Sequence, residues 1–143
     1  MNLKREKKGV YYTLDKHEVI NNDHIDFLVN QCIKEKLNIS RICLHDDHNS
    51  ELMTMLVVVI NKYRYPMHRH IWKDEAYILL RGKAIFEEYS SEGELMIQRN
   101  MEAGNVILNK MKRFHTLVPL TDVVAFIETT KGPFTQSQAL EVL

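Results

Sequence analysis

The sequence predicts an all-β domain, a sandwich or barrel of short strands, with one amphipathic helix ahead of it. Three observations carry this expectation. Past about residue 38 the apolar period is two: "ISRICLH", "TMLVVVI", "EAYILLRG", "KAIFEEYS", "ELMIQRN", "NVILN", "HTLVPL" and "DVVAFIETT" are short runs rich in Val, Ile, Leu and aromatic residues, separated by turn residues. A single earlier stretch has the helical period, and no second helical block follows. The lack of βαβ alternation argues against a doubly wound parallel sheet. At 143 residues and 45% hydrophobic content, the chain fits one domain with a real core.

Taken in order, the first ten residues are basic and polar and are expected to be loose. In "NNDHIDFLVNQCIKEKLN", Ile25, Leu28, Val29, Cys32, Ile33 and Leu37 recur at helical spacing behind an Asn/Asp cluster suited to capping. The helix is expected from about residue 23 to 37, its stripe covering a sheet face or a partner subunit. Among the strands, "RGK" at 81–83 and "SSEGE" at 90–94 read as hairpin turns. The closing "TQSQALEVL" reads as a short helix or a frayed tail. The expected organisation is residues 1–38 as extension and helix, 39–135 as the β-barrel, and 136–143 as tail.

Composition narrows function. Lys plus Arg and Asp plus Glu both count 19, a formal net charge of zero, which argues against binding nucleic acid by phosphate neutralisation. Cys32 and Cys43 are too few for a disulfide framework and are expected as buried thiols in a reducing compartment. "MNLKREKKGV" lacks the apolar segment of a signal peptide behind its charges, and the longest apolar run, "MLVVVI", is too short to span a bilayer. The expectation is a cytoplasmic protein with no membrane or nucleic-acid partner.

The chemistry concentrates in "YPMHRHIWKDEAYILLRG". His68 and His70 are two apart, so on a strand they share a face. A hairpin-like reversal at "IWKD" would bring Glu75, opening the next strand, beside them. His115, heading a later strand, is the natural fourth ligand. Imidazoles plus one carboxylate suit a divalent first-row metal: iron, manganese, nickel, cobalt or zinc. The spacing is H-x-H-x(4)-E-x(6)-G, ending at Gly82, and "GNVILNKMKRFH" places Gly104 eleven positions before His115.

Both patterns resemble the two motifs of the cupin superfamily. The longer stretch "RICLHDDHNSELMTMLVVVINKYRYPMHRHIWKDEAYILLRGKAIF", with "ETTKGPF" near the end, resembles the WbuC-type cupin metalloproteins over about residues 15 to 135. The resemblance implies an RmlC-like jelly-roll barrel with a metal in its mouth held by His68, His70, Glu75 and His115. It also implies work on a sugar or nucleotide-sugar in surface polysaccharide (O-antigen-type) metabolism, as an isomerase or epimerase. An Fe(II)-dependent dioxygenase and a non-enzymatic, metal-dependent ligand-binding protein are the alternatives. A homodimer is expected, with the N-terminal helix or strand contributing. One departure stands out: where the second motif normally has Pro and Gly, this chain has Lys110 and Lys112, so the turn is expected to be built differently. With Arg113, these lysines read either as charge for an anionic substrate or as a solvated loop.

Further candidates remain double-edged. Arg41, Cys43 and His45 share a face. Lining a pocket, Arg41 and His45 would bind substrate oxygens or act as acid and base; otherwise they belong to an ordinary half-buried strand. The resemblance favours the pocket. Tyr77, beside the ligands, is a general acid, a substrate donor or a packing residue, and Tyr65 is weighed the same way. Trp72 is a lid, a sugar platform or a subunit anchor. His48 is a loop histidine more in keeping with solvent than with metal. His17 and His24 look structural, Glu87 is a weakly supported catalytic candidate, and Met53, Met55 and Val57 read as core.

Overall fold

Period-two patterning gives each strand two faces, and the protein uses both. The computed structural model describes residues 1–134 and 141–143. In chain order its elements are β1 (Leu3–Lys7), β2 (Val10–Thr13), α1 (Asn22–Glu35), β3 (Ile39–Cys43), β4 (Leu52–Ile60), β5 (His68–Arg69), β6 (Glu75–Arg81), β7 (Lys83–Tyr89), β8 (Leu95–Glu102), β9 (Val106–Asn109), β10 (Phe114–Pro119), β11 (Val123–Lys131) and β12 (Glu141–Val142). They form a seven-stranded sheet in the order β1-β2-β3-β4-β11-β6-β9 and a five-stranded sheet in the order β12-β5-β10-β7-β8. Neighbours pair antiparallel except β2 with β3. Met55, Val57, Tyr77, Leu79, Phe86 and Phe126 pack between the sheets.

The outer face of the larger sheet makes a second core. Ile25, Leu28 and Cys32 of α1 pack on Tyr11, Ile42, Leu56, Val58, Ile60 and Ala125. Burying each large aliphatic side chain stabilises the fold by about 1.5–3 kcal/mol. The helix starts on a capping box: the Asn21 side chain accepts from the Asp23 amide at 2.9 Å, and the Asn21 amide donates to His24 Nδ1 at 3.2 Å. It ends at Lys36, in the left-handed conformation at φ 56°. The apolar stripe of the helix thus covers its own sheet. Both cysteines are free and buried.

Four expectations need correction or completion. The first ten residues are not loose: β1 and β2 extend the larger sheet at its edge. Strand β1 reads "LKREK" and is largely exposed, so no alternation marks it, and its charges suit an edge strand. "RGK" is not a hairpin turn, because β6 belongs to one sheet and β7 to the other. Gly82 makes that corner at φ 84°, where a Cβ would lie 2.3 Å from the Val123 carbonyl oxygen. "IWKD" likewise crosses between sheets instead of reversing within one. "SSEGE" does close a hairpin, β7 to β8, with the Ser90 amide donating to Glu94 O at 2.9 Å. Of the expected tail, Glu141–Val142 pairs with β5, and residues 135–140 lie outside the described residues.

Candidate metal centre

The crossing from one sheet to the other assembles the site. His68 lies on β5 and His70 just beyond it, Glu75 opens β6 on the opposite sheet, and His115 on β10 stands in register with His68. One ligand atom from each of the four lies within 4.8 Å of the others, and all four side chains are buried, His115 and Glu75 almost completely. Glu75 Oε1 is 2.8 Å from His70 Nε2, and Glu75 Oε2 is 3.5 Å from His115 Nε2.

The surroundings orient these groups. His68 Nδ1 sits 2.9 Å from Pro66 O and His115 Nδ1 sits 3.0 Å from Arg113 O. A ring N–H donated to each carbonyl leaves Nε2 as the free lone pair, the tautomer that a metal-ligating imidazole requires. Tyr77 donates its hydroxyl to Glu75 Oε2 at 2.7 Å and lies 3.0 Å from His115 Nε2. The Asn109 amide nitrogen lies 2.8 Å from His115 Nδ1 and 3.0 Å from Nε2. Burial works against ionised Glu75, but hydrogen bonds with His115 and His70 outweigh it and hold the carboxyl well below its usual range. Burial, helped by His115, lowers His68 to about 4. Burial, then the charge of Glu75, raises the Tyr77 hydroxyl well above its ordinary value.

A divalent cation fits this donor set. Three imidazoles and one carboxylate are ordinary ligands for a first-row metal. Buried Glu75 Oε1 has no hydrogen-bond partner although His70 Nε2 is 2.8 Å away. An Nε2 lone pair facing a carboxylate oxygen at that distance is repulsive unless a proton or a metal cation lies between them. A buried His/Glu cluster of this kind can bind a metal.

The altered second motif still delivers His115. Lys112 occupies the left-handed region at φ 67°, so a lysine takes the backbone conformation that a glycine would adopt without strain. Its amide donates to His70 O at 2.6 Å, and the Met111 amide donates to Asp74 Oδ1 at 2.8 Å. The loop is thus pinned to the segment that carries the other ligands.

A cavity of about 560 Å³ opens from the cluster, floored by the inner face of the larger sheet. Arg41, Cys43 and His45 all line it, as do Tyr65 and Tyr77. His45 Nδ1 contacts the Thr54 backbone, 3.1 Å from its carbonyl oxygen, and burial, opposed by that bond, lowers its pKa. His48 lines the cavity from an exposed position and stands apart from the ligand cluster. Met53, Met55 and Val57 are buried and form part of the wall. Glu87 is not a cavity residue: Tyr89 donates to it, and Arg64 lies 3.9 Å away. His24 closes the helix cap and sits 2.7 Å from Glu18, while His17 is exposed. Trp72 is half-buried and does not line the cavity. Lys110, Lys112 and Arg113 do not line it either, and two of them pair outside it, Lys110 with Asp74 at 3.7 Å and Arg113 with Glu88 at 3.4 Å.

Sequence reasoning missed three residues. Glu128 lines the cavity in register with Tyr77 and hydrogen-bonds Glu75; burial, then Glu75, raises its carboxyl well above the usual range. Its place two residues after Phe126, on the inward parity of β11, was the available signal. Asn109 holds the same relation to Ile107 on β9. Lys73, buried in the crossing segment, carried no periodic signal.

No family model matches the sequence, and no curated protein does. Solved structures of cupin-fold proteins match the fold. The capsular polysaccharide assembling protein CapF from Staphylococcus aureus aligns with a TM-score of 0.65 and 14% identity, over 74% of this chain and 32% of CapF. KdgF from a Halomonas species aligns with a TM-score of 0.57 and 18% identity, over 70% of this chain and 84% of KdgF. The oxalate decarboxylase of Bacillus subtilis, described as having Mn(II) centres, aligns with a TM-score of 0.55 and 23% identity, over 66% of this chain and 24% of the enzyme. The chain spans about a third of the length of CapF. These likenesses show a shared cupin fold.

Proposed function

We propose that the protein is a metal-dependent cupin of the WbuC type that isomerises or epimerises a sugar or nucleotide-sugar in surface polysaccharide metabolism. The observation that carries this reading is the buried His68–His70–Glu75–His115 cluster at the base of a cavity with room for a sugar. CapF, named for capsular polysaccharide assembly, supports the substrate class by fold analogy.

A bound divalent cation would supply Lewis-acid polarisation of a substrate carbonyl. Tyr77 is the positioning residue, its hydroxyl holding the Glu75 carboxylate in place. His45, kept neutral by burial, is the proton acceptor on the cavity wall. Arg41 binds substrate oxygens. The free, buried thiols are in keeping with a reducing, cytoplasmic setting. With α1 packed on its own sheet, the exposed Val106 and Leu108 of β9 with Leu80 of β6 are an apolar surface available for a homodimer. Light scattering would then give about twice the 16.9 kDa chain mass, and the chain mass itself would contradict the dimer.

The activity test uses metal-loaded protein in heavy water with neutral hexoses, hexose phosphates, uronates and nucleotide-sugars. Proton transfer beside a carbonyl puts deuterium on that carbon, and NMR reads it. Deuterium exchange that disappears with the metal supports the proposal. Oxygen consumption with Fe(II) and no exchange would favour a dioxygenase. Tight binding without turnover would favour a binding protein.

A further inference from the structure

One cationic group that faces the cavity, Lys73, is not among those the sequence advertised. Lys73 is 6% exposed, sits between His70 and Glu75 in the crossing segment, and lines the cavity beside the cluster. No carboxylate lies within 4.0 Å of its ammonium among the described residues. The ring of Trp72 lies 5.7 Å from Nζ. The side chain is buried while its ammonium opens onto the cavity, where a ligand anion can meet it. Of the nearby acids, Glu75 is held by Tyr77, His70 and His115; Glu128 is held against Glu75 and feels Lys73 and Arg41 only through space, without an ion pair to either among the described residues. Arg41 lines the same cavity and likewise forms no ion pair among the described residues, whereas Lys110 and Arg113 pair outside it.

We propose that Lys73 is an anion-binding residue, so that the substrate carries a carboxylate or phosphoryl group docked on the Lys73 ammonium beside the metal cluster, with Arg41 as the second cation of the same cavity. This rests on the proposed sugar chemistry and narrows it to acidic or phosphorylated sugars, excluding neutral ones. Carboxylate and phosphate share the chemistry an ammonium recognises: two or more charged oxygens accepting short N–H bonds. The positions agree with this. Lys73 is two residues before Glu75, and Arg41 is three strands across the sheet from β6, roughly 14 Å at about 4.8 Å per strand. A ligand reaching the metal cluster thus meets one cation at once and a second across the cavity.

The test is calorimetric titration of the wild type, Lys73→Met and Arg41→Gln with three probes of similar skeleton: D-glucuronate, glucose 6-phosphate and D-glucose. Metal content is measured on every sample, and the titrations are repeated after metal removal. The wild type is expected to bind at least one anionic probe ten times or more tighter than glucose. Lys73→Met is expected to lose about ten- to a hundredfold on that probe, the range of a charge-assisted hydrogen bond, while keeping its metal and its weak glucose binding. Arg41→Gln, at an exposed position, is expected to lose less. The preferred anion identifies the source of the charge as a uronate or a phosphate. No anion preference in the wild type, or a preference undiminished in Lys73→Met, would overturn the proposal. A wild type that holds no metal would sink the proposed function alone, since the metal-free titrations still read Lys73. If Lys73→Met fails to fold, an unchanged preference in Lys73→Gln and Arg41→Gln would overturn it.

Discussion

The two faces of the seven-stranded sheet are built from the same strands and do opposite things. Outward, Ile42, Leu56, Val58, Ile60 and Ala125 meet α1 in an almost wholly apolar layer. Inward, one register row runs Cys43, Met55, Glu128 and Tyr77, and the next ends Met53, Thr130 and Glu75. A one-residue shift in parity separates a face that only stabilises from one that holds buried charge. Such charge is tolerable only with partners. Glu75 has His70, His115 and Tyr77 beside it, and its Oε1, 2.8 Å from His70 Nε2, is where a metal cation fits.

Perturbing each face separately should break the comparison cleanly. The largest effect is expected from Leu56→Ala on the helix side. It should lower unfolding free energy by about 2–5 kcal/mol in a denaturant titration, through lost burial and a cavity. Metal content per folded chain should not change.

Acid should act on the cluster instead. In metal-free protein His68 takes up its proton near pH 4 when folded and near 6.5 when unfolded. Between those values the unfolded chain binds more protons. The stability that neutral His68 contributes is therefore complete above pH 6.5 and lost as pH falls toward 4, by about 3 kcal/mol. Denaturant midpoints across this window should fall in the wild type and fall less in His68→Gln, where buried His45 still contributes. A midpoint independent of pH would contradict the assignment.

Tyr77→Phe should be milder. It removes the 2.7 Å bond that holds Glu75 Oε2. Metal affinity is expected to drop about tenfold by competition with a chelating dye, with a stability loss of about 1 kcal/mol. Smallest of all, and of opposite sign, Lys112→Gly should relieve the left-handed backbone at φ 67°. It should raise stability by about 0.5–1 kcal/mol with the metal retained.

Legibility followed the same division. Wherever an element has one apolar face, the sequence displays it: α1 runs Asn22–Glu35 against an expected 23–37, and each of the eight runs matches a strand. Strands β1 and β2 were hidden because β1 is a charged edge strand with little core face. The sheet switch at Gly82 was hidden because a turn glycine does not say which strand comes next. In the site, ligand spacing read through to His68, His70 and Glu75 because their order along the chain carries the geometry. Lys73 and Glu128 were invisible as a pair because they meet the cavity from elements 55 residues apart. The loop lysines drew attention through local charge, and local charge does not tell which way a side chain points.

The measurement that bears most directly on this account is elemental analysis of untagged protein, reconstituted with iron, manganese, nickel, cobalt or zinc, for the wild type, Glu75→Ala and His115→Ala. The account predicts close to one metal per chain in the wild type and loss in both variants, with circular dichroism showing all three folded. A wild type that binds none of these metals would contradict it, and so would folded variants that keep a full complement.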